Sequence, residues 1–190
     1  MLPDAAFADN ILEKTIRRGE EESEKTDMKT ARIIDVCISE KKGVQKVPAE
    51  RIEMRPDWGI EGDAHAGNWH RQVSLLAQES VDHLQRLLTK IRLKPGDFGE
   101  NIVTEGIVLY ELPVGTRMRI GTALAEVTQI GKECHQGCAI RQAVGDCVMP
   151  REGIFVKILE PGVAKKGDMI ELLEESAEAQ GAGGSEEGTA

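Results

Sequence analysis

The sequence predicts a mainly β domain with a few helices, its strands forming a sheet that closes on itself. Three observations predict this. The apolar segments ENIVTEGI, TRMRIGTALAEVTQI, GIFVKILEPG and DMIELLE are short, rich in β-branched residues and bounded by Gly or Pro. Helical spacing is clear in QESVDHLQRLLTK, at Val81, Leu84, Leu87 and Leu88. The regular strand–helix alternation that a doubly wound α/β fold requires is missing, and no internal repeat stands in for it.

Taken in order, residues 1–28 form a charged N-terminal extension. Its DNILEKTIRRGEEESEKTD has a short amphipathic start and then a charge cluster, the composition of a solvated segment without chemistry of its own. The domain is expected over residues 29–174. ARIIDVCISE reads as a strand, with Ile33, Val36 and Ile38 turned to the core, and KKGVQKVPAERIEM as a second strand with its turns. RQVSLLA is a short apolar strand leading into the helix, which Pro95-Gly96 stops. GTRMRIGTALAEV alternates about Gly121 as a hairpin does. Residues 175–190, ESAEAQGAGGSEEGTA, are small, acidic and Gly-rich, and read as a disordered tail.

Composition narrows the function classes. A chain of 190 residues, 40% hydrophobic, suits one domain with a real core and some loose ends. Aromatics are 3%, so stacking surfaces are scarce. A net charge of −9 and a pI near 5.1 argue against a nucleic-acid binder, without forbidding a locally basic pocket. No apolar run approaches the ~20 residues of a membrane helix, so no membrane role is expected. The start, MLPDAAFADNILEK, lacks the basic and apolar regions of a secretory signal, which predicts a cytoplasmic protein. Its four cysteines then read as thiols rather than as a disulfide framework.

Three stretches carry candidate chemistry. In GIEGDAHAGNWHRQVSLL, residues 59–76, Asp63, His65, His70 and Arg71 crowd a Gly-rich loop before an apolar strand. Asp63 and His65 are read either as hydrogen-bonded loop residues or as part of a site; a metal triad with His70 ranks lower, because Arg71 would repel the cation. In KPGDFGENIVTEGI, residues 94–107, Asn101 stands at a strand mouth, either as a turn residue or holding a heterocycle edge. In GKECHQGCAI, residues 131–140, Cys134 and Cys138 are spaced C-x3-C, with His135 beside the first. Zinc fits poorly, since the common C-x2-C spacing and a second pair are absent. A C-x-x-C redox motif is also absent. A single reactive thiolate or buried structural cysteines remain; Lys132 and His135 favour the thiolate at Cys134, and Cys37 in its apolar strand should be inert.

Four stretches in this order, GIEGDAHAG with HRQVSLL, GDFGENIVTEGI, EVTQI with GKECHQGCAI, and REGIFVKILEPGVAKKGDMIEL, resemble the MOSC domain. That module occurs at the C-terminus of molybdenum-cofactor sulfurases and as stand-alone bacterial proteins. The resemblance spans about residues 30–173 and implies a β-barrel-like fold. It implies the molybdenum cofactor, a molybdopterin, handled by a cysteine that carries sulfur or ligates molybdenum. Cys134 matches that position, as catalytic thiol and molybdenum ligand, with Cys138 a candidate second thiol. Asp63, His65, Arg71, Asn101 and His135 would bind the cofactor, Arg71 taking the family's arginine position and its phosphate. The flanks differ from the family's usual proline before the cysteine and Lys/Leu-type sequence after it, which leaves both thiols in play. Implied partners are a cysteine desulfurase, which alone would bring pyridoxal phosphate, and a molybdoenzyme acceptor. Two alternatives stand beside the sulfur carrier: an oxidoreductase module reducing N-oxygenated substrates with a partner electron donor, and a non-catalytic zinc-stabilised interaction module.

Overall fold

The structure is a computed structural model describing residues 30–89, 91–133 and 147–173. Its strands are β1 (Thr30–Ile38), β2 (Val47–Pro48), β3 (Arg51–Arg55), β4 (Gly59–Ile60), β5 (Val73–Ala77), β6 (Ile102–Glu105), β7 (Arg117–Ile120), β8 (Ala123–Ile130), β9 (Ile154–Glu160), β10 (Gly162–Lys165) and β11 (Met169–Leu172). Helix α1 (Gln78–Leu87) follows β5, and a single turn, α2 (Met149–Glu152), precedes β9. None of the helices among the described residues is long and apolar enough to cross a membrane.

Seven strands run β11-β7-β8-β9-β5-β6-β1, and β1 pairs back onto β11, so the sheet closes into a barrel. The closing register sets Ala31 opposite Ile170. Closure leaves the seven with no free edge, and their inward side chains fill the interior. Ile33, Leu75, Ile102, Met118, Ile120, Val127, Ile154 and Ile170 are all fully buried there. All of these pairs are antiparallel except β5 with β6, where Leu75 faces Ile102. Parallel neighbours need a crossover, and α1 lies in it. β2 adds to the end of β1, and β3, β4 and β10 form a small separate sheet.

The hairpin at Gly121 forms as its alternation predicts, with Arg117 opposite Glu126 and Ile120 opposite Ala123. Helix α1 buries Val81 and Leu84, but Leu87 is 63% exposed, because the helix stops there and Leu88 turns extended. α1 packs outside the barrel on a second cluster of Leu76, Phe98, Cys147, Val148, Met149 and Phe155. That cluster ties together three segments distant in sequence, and the pocket described next is built on them.

Candidate functional site

A cavity of about 570 Å³ opens where β5 and β6 begin. Ser74 of β5, Asn101 just before β6 and Phe155 of β9 line it, together with His65 and Arg71 of the Gly-rich loop. Thus His65, Arg71 and Asn101, three of the residues singled out from sequence, share one pocket. Asp63 lies behind its wall, 7% exposed.

Asp63 organises the floor. Its Oδ1 accepts the backbone N–H of His65 at 2.8 Å, and its Oδ2 that of Ser39 at 3.2 Å. Oδ2 also accepts Asn101 Nδ2 at 3.0 Å and forms a buried ion pair with Lys46 Nζ. Burial alone would raise the Asp63 pKa, but the Lys46 ammonium and these N–H donors outweigh it and hold the carboxyl below the usual range. His65 Nδ1 lies 3.2 Å from Asp63 Oδ1 and 3.4 Å from Lys46 Nζ. Burial, then the Lys46 charge, push the His65 pKa below its ordinary value.

Asn101 is engaged on every side by protein. Its other amide hydrogen goes to the Cys37 carbonyl at 3.1 Å, and Oδ1 accepts both the N–H and the hydroxyl of Ser74, at 3.2 and 3.0 Å. It therefore pins β1, β5 and the Asp63 loop to one another. Those bonds occupy the groups that would otherwise hold a heterocycle edge. Beside it, Glu100 is fully buried and accepts the N–H groups of Gly96 at 2.6 Å and Phe98 at 3.0 Å. Burial raises its pKa to about 7 against those stabilising N–H groups. Gly96 permits this loop: its φ is +92°, and a Cβ there would lie 2.1 Å from the Lys46 carbonyl oxygen.

The wall is cationic and aromatic. The Arg71 guanidinium carbon sits 4.8 Å from the Trp69 ring centroid and 5.7 Å from that of Phe155. Lys132 Nζ approaches the same Phe155 ring at 5.8 Å. Neither cation has a carboxylate partner among the described residues, and Arg71 Nε is buried with no hydrogen-bond partner. Such an arrangement can take an anion: the guanidinium keeps its fork of donors and the rings exclude water from one side.

Cys134, His135 and Cys138 lie outside the described residues. Lys132 and Glu133, immediately before them, line the pocket, as do Cys147 and Met149. Gly131 sets that approach: its N–H bonds the Gly153 carbonyl at 2.7 Å, and at φ +66° a Cβ would stand 2.1 Å from the Pro150 carbonyl oxygen. Cys37 is buried in β1, and burial, followed by the charge of Glu100, pushes its thiol up to about 12. The lower-ranked metal triad does not assemble: exposed His70 reaches Gln129 Oε1 at 2.9 Å instead. Among the described residues no group of three or more His, Cys, Asp or Glu could hold a metal ion.

Sequence reasoning missed Lys46, which is 4% exposed. KKGVQK reads as part of a second strand with its turns, and nothing local marks one of its three lysines as buried. It also missed Phe155 as a partner of Arg71, since that contact joins the Gly-rich loop to a strand remote in sequence.

The family model for the MOSC domain matches residues 62–171, more than half of the chain. The chain belongs to the MOSC domain family. This family is linked to molybdenum cofactor handling. Among curated proteins, the MOSC chain is similar to the uncharacterized protein YflK of Bacillus subtilis (strain 168), 26% identical over 141 residues. That match covers 69% of this chain and 63% of YflK, so the chain spans less than two thirds of that relative's length. Among solved structures, the YuaD protein from Bacillus subtilis superposes with a TM-score of 0.64 at 22% identity, over 75% of this chain and 95% of YuaD. YiiM from Geobacillus stearothermophilus gives 0.61 at 20% identity, covering 78% of each chain. At those identities the two structures establish the shared barrel fold alone.

Proposed function

We propose that this MOSC protein binds the molybdenum cofactor, or carries sulfur for it, in the pocket between the Asp63–Arg71 loop and the segment that leads to Cys134. The observation that carries this reading is the pair Arg71 and Lys132, which both line the cavity, both approach the Phe155 ring and are without carboxylate partners among the described residues, the buried Arg71 Nε having no hydrogen-bond partner. A phosphate-bearing pterin fits that donor set: Arg71 and Lys132 would hold the phosphate, and Trp69 and Phe155 would flank the ring system. Cys134 is the working thiol, Cys138 a second, and His135 a further contact. When bound, the cofactor supplies a thiophilic metal, for which thiolate is a suitable ligand. The chain's own residues do the rest. Asp63 and Asn101 fix the loop, Arg71 neutralises the incoming anion, and a Cys134 thiolate attacks the outer sulfur of a donor persulfide, so that a new S–S bond forms as the donor S–S bond breaks and the donor thiolate leaves. A cysteine desulfurase would donate that sulfur and a molybdoenzyme would receive it.

Elemental and persulfide analysis of gently purified protein tests this. Molybdenum with pterin, or a labile persulfide without metal, is the expected result. Zinc at one per chain would identify the interaction-module reading instead. Cofactor that turns over N-oxygenated substrates with an added electron donor would identify the oxidoreductase reading.

A further inference from the structure

We propose that His65 is the proton acceptor of this pocket: Asp63 and Lys46 hold it as the Nδ1–H imidazole, so that Nε2 carries a lone pair and takes the proton of a thiol brought into the cavity. This rests on the pocket reading above and adds a role to it.

The tautomer follows from the two neighbours of Nδ1. A carboxylate only accepts, so Asp63 Oδ1 at 3.2 Å favours Nδ1–H. An ammonium only donates, so Lys46 Nζ at 3.4 Å favours a bare Nδ1. Asp63 wins on geometry. It is the nearer group, and its Oδ1 already accepts the His65 backbone N–H, which locks loop and carboxylate together. Lys46 has Oδ2 of the same carboxylate as its ion partner. Ser39 and Asn101 fix that carboxylate from two other segments. The imidazole side chain is 37% exposed and lines the cavity, which leaves its other nitrogen accessible there.

The charges facing His65 come from three places. Asp63 on its own loop favours a second proton on the ring. Lys46 from the turn between β1 and β2, and Lys132 from the segment after β8, oppose it, as does burial. The balance lowers the imidazole pKa and so favours the neutral ring, the form a base requires. The step then balances simply: the S–H proton moves to Nε2, the thiol becomes a thiolate, and the new imidazolium faces the Asp63 carboxylate. Cys147 lines the same cavity, 5% exposed. Asp63 and Lys46 act through His65 and are positioning residues.

Two measurements on the full chain decide the matter. Nitrogen-15 NMR of the histidine rings at pH 7 should show His65 as the Nδ1–H tautomer; an Nε2–H ring overturns the proposal. Lys46→Met should preserve that tautomer and raise the pH at which the ring protonates, and Lys46→Arg should restore the original titration. An unchanged titration in Lys46→Met overturns the positioning role. Alkylation by iodoacetamide, resolved by mass for each cysteine between pH 5.5 and 8.5, reads the base directly. His65→Gln should slow the fastest pocket thiol at pH 7 by about 10-fold or more, within the reach of general-base effects, while Cys37 stays unreactive. An unchanged rate overturns the proposal, and so does a change accompanied by Cys37 labelling, which would mark simple unfolding. If His65→Gln does not fold, the wild-type tautomer decides alone. Neither readout needs the cofactor, so a failure here is separable from a failure of the cofactor reading.

Discussion

Asp63 is where the site and the stability of the fold meet. It joins Ser39 and Lys46 at the two ends of the β1–β2 connection, His65 of its own loop, and Asn101 just before β6. Removing one partner of a buried ion pair leaves the other charge uncompensated, at about 3–5 kcal/mol. Asp63→Asn should therefore destabilise the chain by roughly that amount in chemical denaturation. Lys46→Met should cost less, because the carboxylate keeps three N–H donors. Glu100 gives a prediction with a pH signature. Its folded pKa is raised to about 7 from 4.5, so the folded chain holds a proton that the unfolded chain releases. The associated stability is complete below pH 4.5 and lost as pH rises to about 7. Asp63, held low, and His65, also held low, act with the opposite sign and lose their contribution as pH falls. Comparing Glu100→Gln with wild type isolates the one group: the variant should gain on wild type across pH 4.5–7, as read from paired thermal midpoints. Residue identity was readable at this scale for Asp63, His65 and Arg71, since a Gly-rich loop concentrates them. It was not readable for Lys46, whose burial depends on an aspartate 17 positions away.

At the scale of elements, β6, β9 and β11 were readable as short β-branched runs bounded by Gly or Pro, and β7 and β8 as a hairpin about Gly121. β4 and β10 were not read, and β2 and β3 were read as a single strand, because pairings so short leave little pattern and that of β3 with β10 joins segments remote in sequence. Helix α1 was readable to within its last turn. Periodicity assigned Leu84 and Leu87 to one face, but the helix ends before the second cluster reaches Leu87. The two leucines therefore make a contrast. Leu84→Ala, at 2% exposed, should cost about 2–5 kcal/mol in urea unfolding. Leu87→Ala, at 63% exposed, should stay within about 0.5 kcal/mol. Equal effects would mean that α1 extends and buries both.

For the whole molecule, closure of the barrel depends on β1 meeting β11, with Thr30 opposite Glu171. That pairing joins the two ends of the domain and has no local signature. What sequence could supply was the order of four motifs, from which the family resemblance, and through it the barrel, followed. The seven strands close within residues 30–172. Deleting residues 1–26 and 176–190 should accordingly leave the thermal midpoint nearly unchanged. A fall of more than roughly 5 °C, about 1 kcal/mol for a domain of this size, would show that one of those segments packs on the barrel.

The central claim is that Arg71 and Lys132 form the anion-binding wall of a cofactor pocket, and bound pterin per chain tests it most directly. Wild type purified without chelators, or loaded with cofactor in vitro, should carry pterin. Arg71→Ala with Lys132→Ala should lose about 10-fold or more of it, since each charge-assisted hydrogen bond contributes about 1.5–3 kcal/mol, while its thermal midpoint holds within a few degrees. Equal pterin in the double variant, or none in wild type under either condition, would contradict the account.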